Sequence, residues 1–260
     1  MLALFFHIST TVLVLLLLVA AVAAVGLGVL LGRVARRRHT EQAEGVGIIQ
    51  AALFGIVGLL LAFGLSMALA RFEERRVDMV DEANAISTVM LRTSLLDGVD
   101  REAANEVLDH YTDAVVRYSE VVPGSDEFWN FSHEVEILAG ELWLIGTQAM
   151  DTQPEANGPR LFIEALNDAF DAHGTRTAGL INQVPHEVSM LMLLASCAAL
   201  AALGMHLSVV GRGLISSMIA ALVVVSVLVV SFDLDRPHRG LITVPDGPLI
   251  ELRDSFHEAP

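Results

Sequence analysis

Hydrophobic residues fall into four long runs, at positions 4–31, 46–70, 188–210 and 214–232, and none of them contains Asp, Glu, Lys or Arg. A helix needs about 20 mainly apolar residues to cross the ~30 Å hydrocarbon core of a bilayer, so each run predicts a transmembrane helix. The first carries Ala-Val-Ala-Ala after its Leu run, which looks like a signal-peptide cleavage site. It lacks a basic segment ahead of it and is too long, so it is expected to remain as a span. His7 and His206 lie in or near these runs. A lone intramembrane histidine usually bonds to a neighbouring helix, and neither is taken as a site.

Between the second and third runs, positions 72–187 change pattern. Val107, Leu108, Tyr111, Val115, Tyr118 and Val122 recur at helical spacing, as do Phe128, Phe131, Val135, Leu138, Leu142 and Ile145, and then Phe162, Leu166, Ala169, His173 and Leu180. Each stretch predicts an amphipathic helix with its stripe in a helix-helix core. Asp97-Gly98, Pro123-Gly124-Ser125 and Asn157-Gly158-Pro159 supply the breaks between them. Neither Pro nor Gly interrupts positions 66–96, so the second span is expected to leave the membrane and continue as one helix to about residue 96. The expected fold is therefore an all-α integral membrane protein with four transmembrane helices, a large helical insert between the second and third, and a C-terminal tail from 233 to 260.

Composition sharpens this picture. The chain is 53% hydrophobic and 18% charged, against about 25% charged in soluble domains, which excludes an ordinary soluble enzyme. All sixteen basic residues are Arg, set against 31 acidic ones for a net charge of −15. The insert alone holds 23 acidic residues and seven Arg, a net of −16, so the rest sums to +1. Such a chain is a poor binder of nucleic acid. Cys197 is the single cysteine, which leaves no disulfide framework and no cysteine-based zinc site.

Candidate chemistry is sparse. There is no phosphate-binding glycine loop, nucleophile elbow or His-Glu-x-x-His, and His110, His133 and His173 fall on three separate predicted helices. No catalytic residue, metal or cofactor is expected. Charges do cluster where spans leave the bilayer. Arg71 and Arg75 share one helical face, as do Glu74, Asp78 and Glu82. These rows suit ion pairs between helices or subunits, or an ordinary solvated helix. Asp233, Asp235, Arg236 and Arg239 close the fourth span, as a cation site, a partner for the positions 71–76 block, or a solvated helix end.

Four blocks together resemble the bacterial bestrophin-like membrane proteins, a domain family of unknown function. They are Phe-Gly-x-x-Met-Ala-x-x-Arg-Phe-Glu-Glu-Arg-Arg from Phe63, Asp-Glu-Ala-Asn-Ala-Ile from Asp81, Glu-Ala-Leu-Asn-Asp from Glu164, and Asp-Leu-Asp-Arg-Pro-x-Arg-Gly from Asp233. The chain is more distantly similar to bestrophins proper, whose second transmembrane helix carries Arg-Phe-x-Glu-x-Arg, matched by Arg71, Phe72, Glu74 and Arg76. Bestrophins are pentameric ion channels, anion-conducting in animals, with second helices lining the pore. Their neck is formed by large apolar residues at i,i+4 spacing that end on a Phe eight residues before the Arg. That resemblance implies Phe63 and Leu59 as pore-lining, with Gly55 departing from the large-residue pattern. The calcium-binding acidic run of animal bestrophins is echoed only by Asp233 and Asp235, so calcium gating is not carried over.

The sequence therefore leads to a homo-oligomeric ion channel, a pentamer by resemblance, in a bacterial cytoplasmic membrane, with the lipid bilayer and inorganic ions as partners. The alternative is a membrane-anchored helical sensor or scaffold that binds a partner through its acidic insert. For topology, Arg33, Arg36, Arg37 and Arg38 crowd the short first loop and Arg212 lies in the loop between the third and fourth spans. The positive-inside rule then puts both termini and the insert outside, whereas the bestrophin resemblance puts them inside. The dense four-Arg loop decides for outside.

Overall fold

The computed structural model describes residues 9–36, 43–210, 214–236 and 240–258. The described residues form eight α-helices: α1 (Thr10–Arg36), α2 (Ala43–Thr93), α3 (Gly98–Glu120), α4 (Asp126–Thr152), α5 (Asn157–Ile181), α6 (His186–Val210), α7 (Leu214–Leu234) and α8 (Gly247–Glu258). Among the described residues four stretches are long and apolar enough to cross a membrane. They are Thr10–Val34, Ile48–Thr93, Asn157–Val209, whose apolar part is α6, and Ser217–Leu234. Residues 4–8 of the first expected span lie outside the described residues.

The chain forms two compact units. The first comprises Met1–Arg71 and Val184–Ile242 and holds α1, the first half of α2, α6 and α7. Here α1 packs on α6 and α7, and α6 on α7. Leu13, Leu17, Val57, Leu61, Leu200, Leu203, Val224 and Leu228 make its core. Gly28 and Gly204 bring α1 and α6 together. A Cβ at Gly28 would strike the Ala201 carbonyl oxygen, and one at Gly204 the Val25 carbonyl oxygen. Small residues at a crossing let apolar helices approach closely where lipid supplies no hydrophobic drive between them.

The second unit comprises Phe72–Gln183 and Thr243–Pro260. It packs α3 on α4, α4 on α5 and α8 on α3. The outer half of α2 adds Met79, Ala83, Ile86 and Val89 to a core that includes Leu108, Tyr111, Val115, Leu142, Phe162 and Leu166. Local signals place the breaks. Gly124 adopts φ +80° in the Pro123-Gly124 turn, a conformation that only glycine takes cheaply. Ser125 then caps α4, its Oγ accepting from the Phe128 N–H at 3.1 Å, with Asp126 and Glu127 in the first turn. The α2 helix ends at Thr93, where the Thr93 and Ser94 hydroxyls bond back to Met90 and Leu91 and the next two N–H groups close turns. The tail is not a simple extension. Its α8 belongs to the second unit, with Leu249 fully buried and Leu252 nearly so.

Candidate pore helix and its anchoring charges

In the first unit α2 has two unlike faces. Val57, Leu61 and Ala68 are 2%, 5% and 1% exposed. On the opposite side Leu59 and Phe63 are 59% and 61% exposed, and Gly55 stands open, with nothing within 4 Å of a Cβ built on it. At 3.6 residues per turn, two residues turn the helix by about 200°, which carries Leu59 and Phe63 away from Leu61. Residues four apart stack along one side, so Gly55, Leu59 and Phe63 form one outward line. A large apolar side chain left outside its own subunit finds lipid, a second subunit or a pore.

The charges that close the fourth span act as internal staples of the same unit. Asp233 is 1% exposed. Its Oδ2 accepts from the Leu241 and Ile242 N–H groups at 2.6 and 3.0 Å, and its Oδ1 accepts from the Thr10 hydroxyl at 3.2 Å. Arg236 donates to the same Thr10 oxygen at 3.2 Å and lies 3.7 Å from Asp233 Oδ1. The Asp235 Oδ1 accepts from the Val184 N–H at 3.0 Å. These contacts join the start of α1, the lead into α6 and the chain after α7. Arg239 and His7 lie outside the described residues. His206 Nδ1, expected to bond to a neighbouring helix, has no hydrogen-bond partner among the described residues.

The second unit anchors the outer half of α2. Arg75 is 2% exposed and turns inward, Nε donating to the Gly179 carbonyl at 3.1 Å and Nη2 to the Asn182 carbonyl at 2.9 Å. It thus caps α5, placing a cation where the helix dipole is negative. Glu74 is exposed and Asp78 half-buried. Burial, with Asp81 and Glu74 nearby, raises the Asp78 carboxyl above its ordinary value against the opposing charge of Arg176.

One turn beyond Asp78, Glu82 is wholly buried. Its Oε2 accepts from Arg176 Nη1 at 2.5 Å, and its Oε1 lies 2.6 Å from His173 Nδ1. Because an ionised carboxylate only accepts, the His173 proton sits on Nδ1. Burial alone would raise the Glu82 pKa, but the Arg176 charge and the His173 bond outweigh it, and the carboxyl is held below its ordinary value. The Tyr118 ring lies tilted against His173 with centroids 5.2 Å apart, and the Arg176 guanidinium lies 5.8 Å from the Tyr118 centroid. Burial, opposed by its bond to the Thr177 hydroxyl, pushes the Tyr118 phenol up to about 12.

Arg176 and the pairing of Glu82 are the residues that sequence reasoning missed. A signal was present: Arg176 interrupts the apolar stripe of α5 between His173 and Leu180, a core position that no lone charge would occupy. His110 and His133 line one groove of about 350 Å³ between α3 and α4, together with Asp113, Arg117 and Glu134, while His173 stands apart on Glu82. Among the described residues no His, Cys, Asp and Glu group could hold a metal.

Comparison with known proteins places this geometry. The family model described as the Bestrophin-like domain matches residues 17–249. No curated protein matches the sequence. Solved structures do. A crystal structure of a bacterial bestrophin homologue from Klebsiella pneumoniae aligns with TM-score 0.70 at 12% identity, over 94% of this chain and 99% of that one. A point variant of a bestrophin homologue from the same organism aligns with TM-score 0.70 at 12% identity, over 92% and 97%. A further variant structure, described only as a membrane protein, aligns with TM-score 0.68 at 13% identity, over 94% and 99%.

Proposed function

The chain belongs to the bestrophin-like family, and from that premise we propose that it assembles into a homo-oligomeric ion-conducting pore in a bacterial cytoplasmic membrane, with α2 facing the axis. A pentamer follows from the family likeness. The observation that supports this reading is the outward line of Gly55, Leu59 and Phe63 opposite a face packed into the same subunit. Phe63 and Leu59, one helical turn apart, would form an apolar constriction, and such constrictions gate conduction by dewetting. Gly55 leaves the pore wider one turn further along. Ions are the substrate of this function, and no cofactor or catalytic group enters it.

Selectivity follows from the second unit. Its insert carries a net −16, which raises the local cation concentration at any mouth it lines, so anion selectivity does not transfer from animal bestrophins. The test combines two measurements on detergent-purified protein. Native mass should give a closed oligomer, and planar-bilayer recording should give single-channel currents whose reversal potential in a salt gradient reports the permeant ion. A strict monomer, or an oligomer that never conducts, overturns the pore and favours a membrane-anchored scaffold that acts through its acidic unit.

A further inference from the structure

The first unit contains a feature that the pore reading does not use. A groove of about 650 Å³ runs between α1, α6 and α7, walled by Leu18, Val22, Val25, Leu207, Met218 and Leu222. Among the described residues Ser217 is the single polar one on its lining. Ala21 and Val225, 7% and 5% exposed, line it as well. Along α7 the lining extends from Ile215 to Val225, ten residues or about 15 Å of rise. That is half of the ~30 Å hydrocarbon core, the depth of a single leaflet.

These dimensions suit one occupant. A single extended hydrocarbon chain has the slender section and the one-leaflet length that the groove offers. Charge supplies the other half of the argument. The groove begins at Ile215, near the loop end of α7, and α1 carries exposed Arg33 two turns past Val25 on the way to its own loop end. In sequence Arg36, Arg37 and Arg38 follow, and Arg212 precedes α7, against Glu41 and Glu44. The exposed Arg33 guanidinium at that end suits a phosphate, which Arg binds through two parallel N–H donors.

We propose that this groove holds one acyl chain of an anionic phospholipid whose phosphate lies at the Arg33 end, one lipid for each chain. Lipid bound there fills the space beside α1, α6 and α7 and ties their packing to membrane composition. The proposal does not depend on the protein conducting ions.

Native mass spectrometry of the delipidated full-length protein, titrated with phosphatidylglycerol or phosphatidylcholine, tests it. One lipid per chain should bind, with phosphatidylglycerol favoured by about fivefold, the scale of one Arg near an anionic surface. Ala221→Trp, which plugs the groove, should reduce retention of both lipids. Should that variant fail to fold, Val22→Trp makes the same obstruction from α1. Arg33→Gln should erase the preference for phosphatidylglycerol while leaving chain binding intact. Retention unchanged by both Trp substitutions would overturn the proposal, since the lipid would then sit elsewhere. A change of subunit number in the same spectra on filling the groove would overturn it as well, with a second copy as the occupant.

Discussion

Arg176 and Glu82, on α5 and α2, face each other 2.5 Å apart with side chains 1% and 0% exposed. Two charges removed from water repay their desolvation only through this geometry, and removing one leaves the other stranded. Arg176→Met or Glu82→Gln alone should therefore destabilise the fold by about 3–5 kcal/mol, while the double substitution should recover much of the loss. Thermal unfolding of the four proteins in detergent measures the coupling. Additive losses would show that the pair does not act as a unit.

The same carboxylate gives a pH dependence. Glu82 is held below its ordinary value of 4.5, so the folded state gains from its ionisation. That gain is complete above the unfolded pKa and is lost as pH falls through the lower folded value. The wild type should lose unfolding temperature in this acid range, and Glu82→Gln should lack that part of the slope.

Asp246, just ahead of α8, works in the opposite sense. Burial raises its carboxyl, with Glu120 adding to the rise and Arg176 and Ser119 opposing it. A raised folded pKa contributes stability below the unfolded value and loses it as pH climbs through the folded one. Asp246→Asn should match the wild type at pH 4 and unfold at a higher temperature near pH 8. Equal unfolding temperatures at both pH values would count against the burial of this carboxyl.

Arg75 should matter through α5. Its two charge-assisted bonds to the Gly179 and Asn182 carbonyls cap that helix. Arg75→Ala should cost roughly 2–4 kcal/mol in unfolding, on the scale of hydrogen bonds to charged groups, with Arg75→Lys recovering part. A neutral Arg75→Ala would mean that water replaces the cap.

For the pore, Phe63→Ala should widen the proposed constriction and remove a barrier to wetting, raising conductance or open probability in bilayer recordings. An unchanged current from a folded, conducting variant would remove Phe63 from the pore.

For topology, the positive-inside rule applied to the four-Arg first loop predicts that both termini and the insert lie outside the cytoplasm. A reporter fused at Pro260 that is active only in the cytoplasm would reverse that assignment and favour the orientation implied by the bestrophin resemblance.

The sequence by itself determined the helices and their environment. Uncharged runs long enough to span a bilayer, and stripes such as Leu108, Tyr111 and Val115, are one-dimensional signals, because span length and the 3.6-residue period are properties of a single helix. It also put Gly55, Leu59 and Phe63 on one line, since i,i+4 stacking needs no partner. The tertiary structure alone decided where charges go. Arg75 and Glu82 lie in helix-spaced rows with Arg71 and Asp78 that suit inter-helix ion pairs and a solvated face alike, yet Arg75 turns onto carbonyls more than a hundred positions away and Glu82 onto Arg176. The Asp233 carboxylate, readable as a cation ligand, spends its oxygens on Thr10 and on the Leu241 and Ile242 N–H groups. Only folding brings those distant partners within bonding distance, because the energy of a buried charge is set by what surrounds it in space and not by its neighbours along the chain.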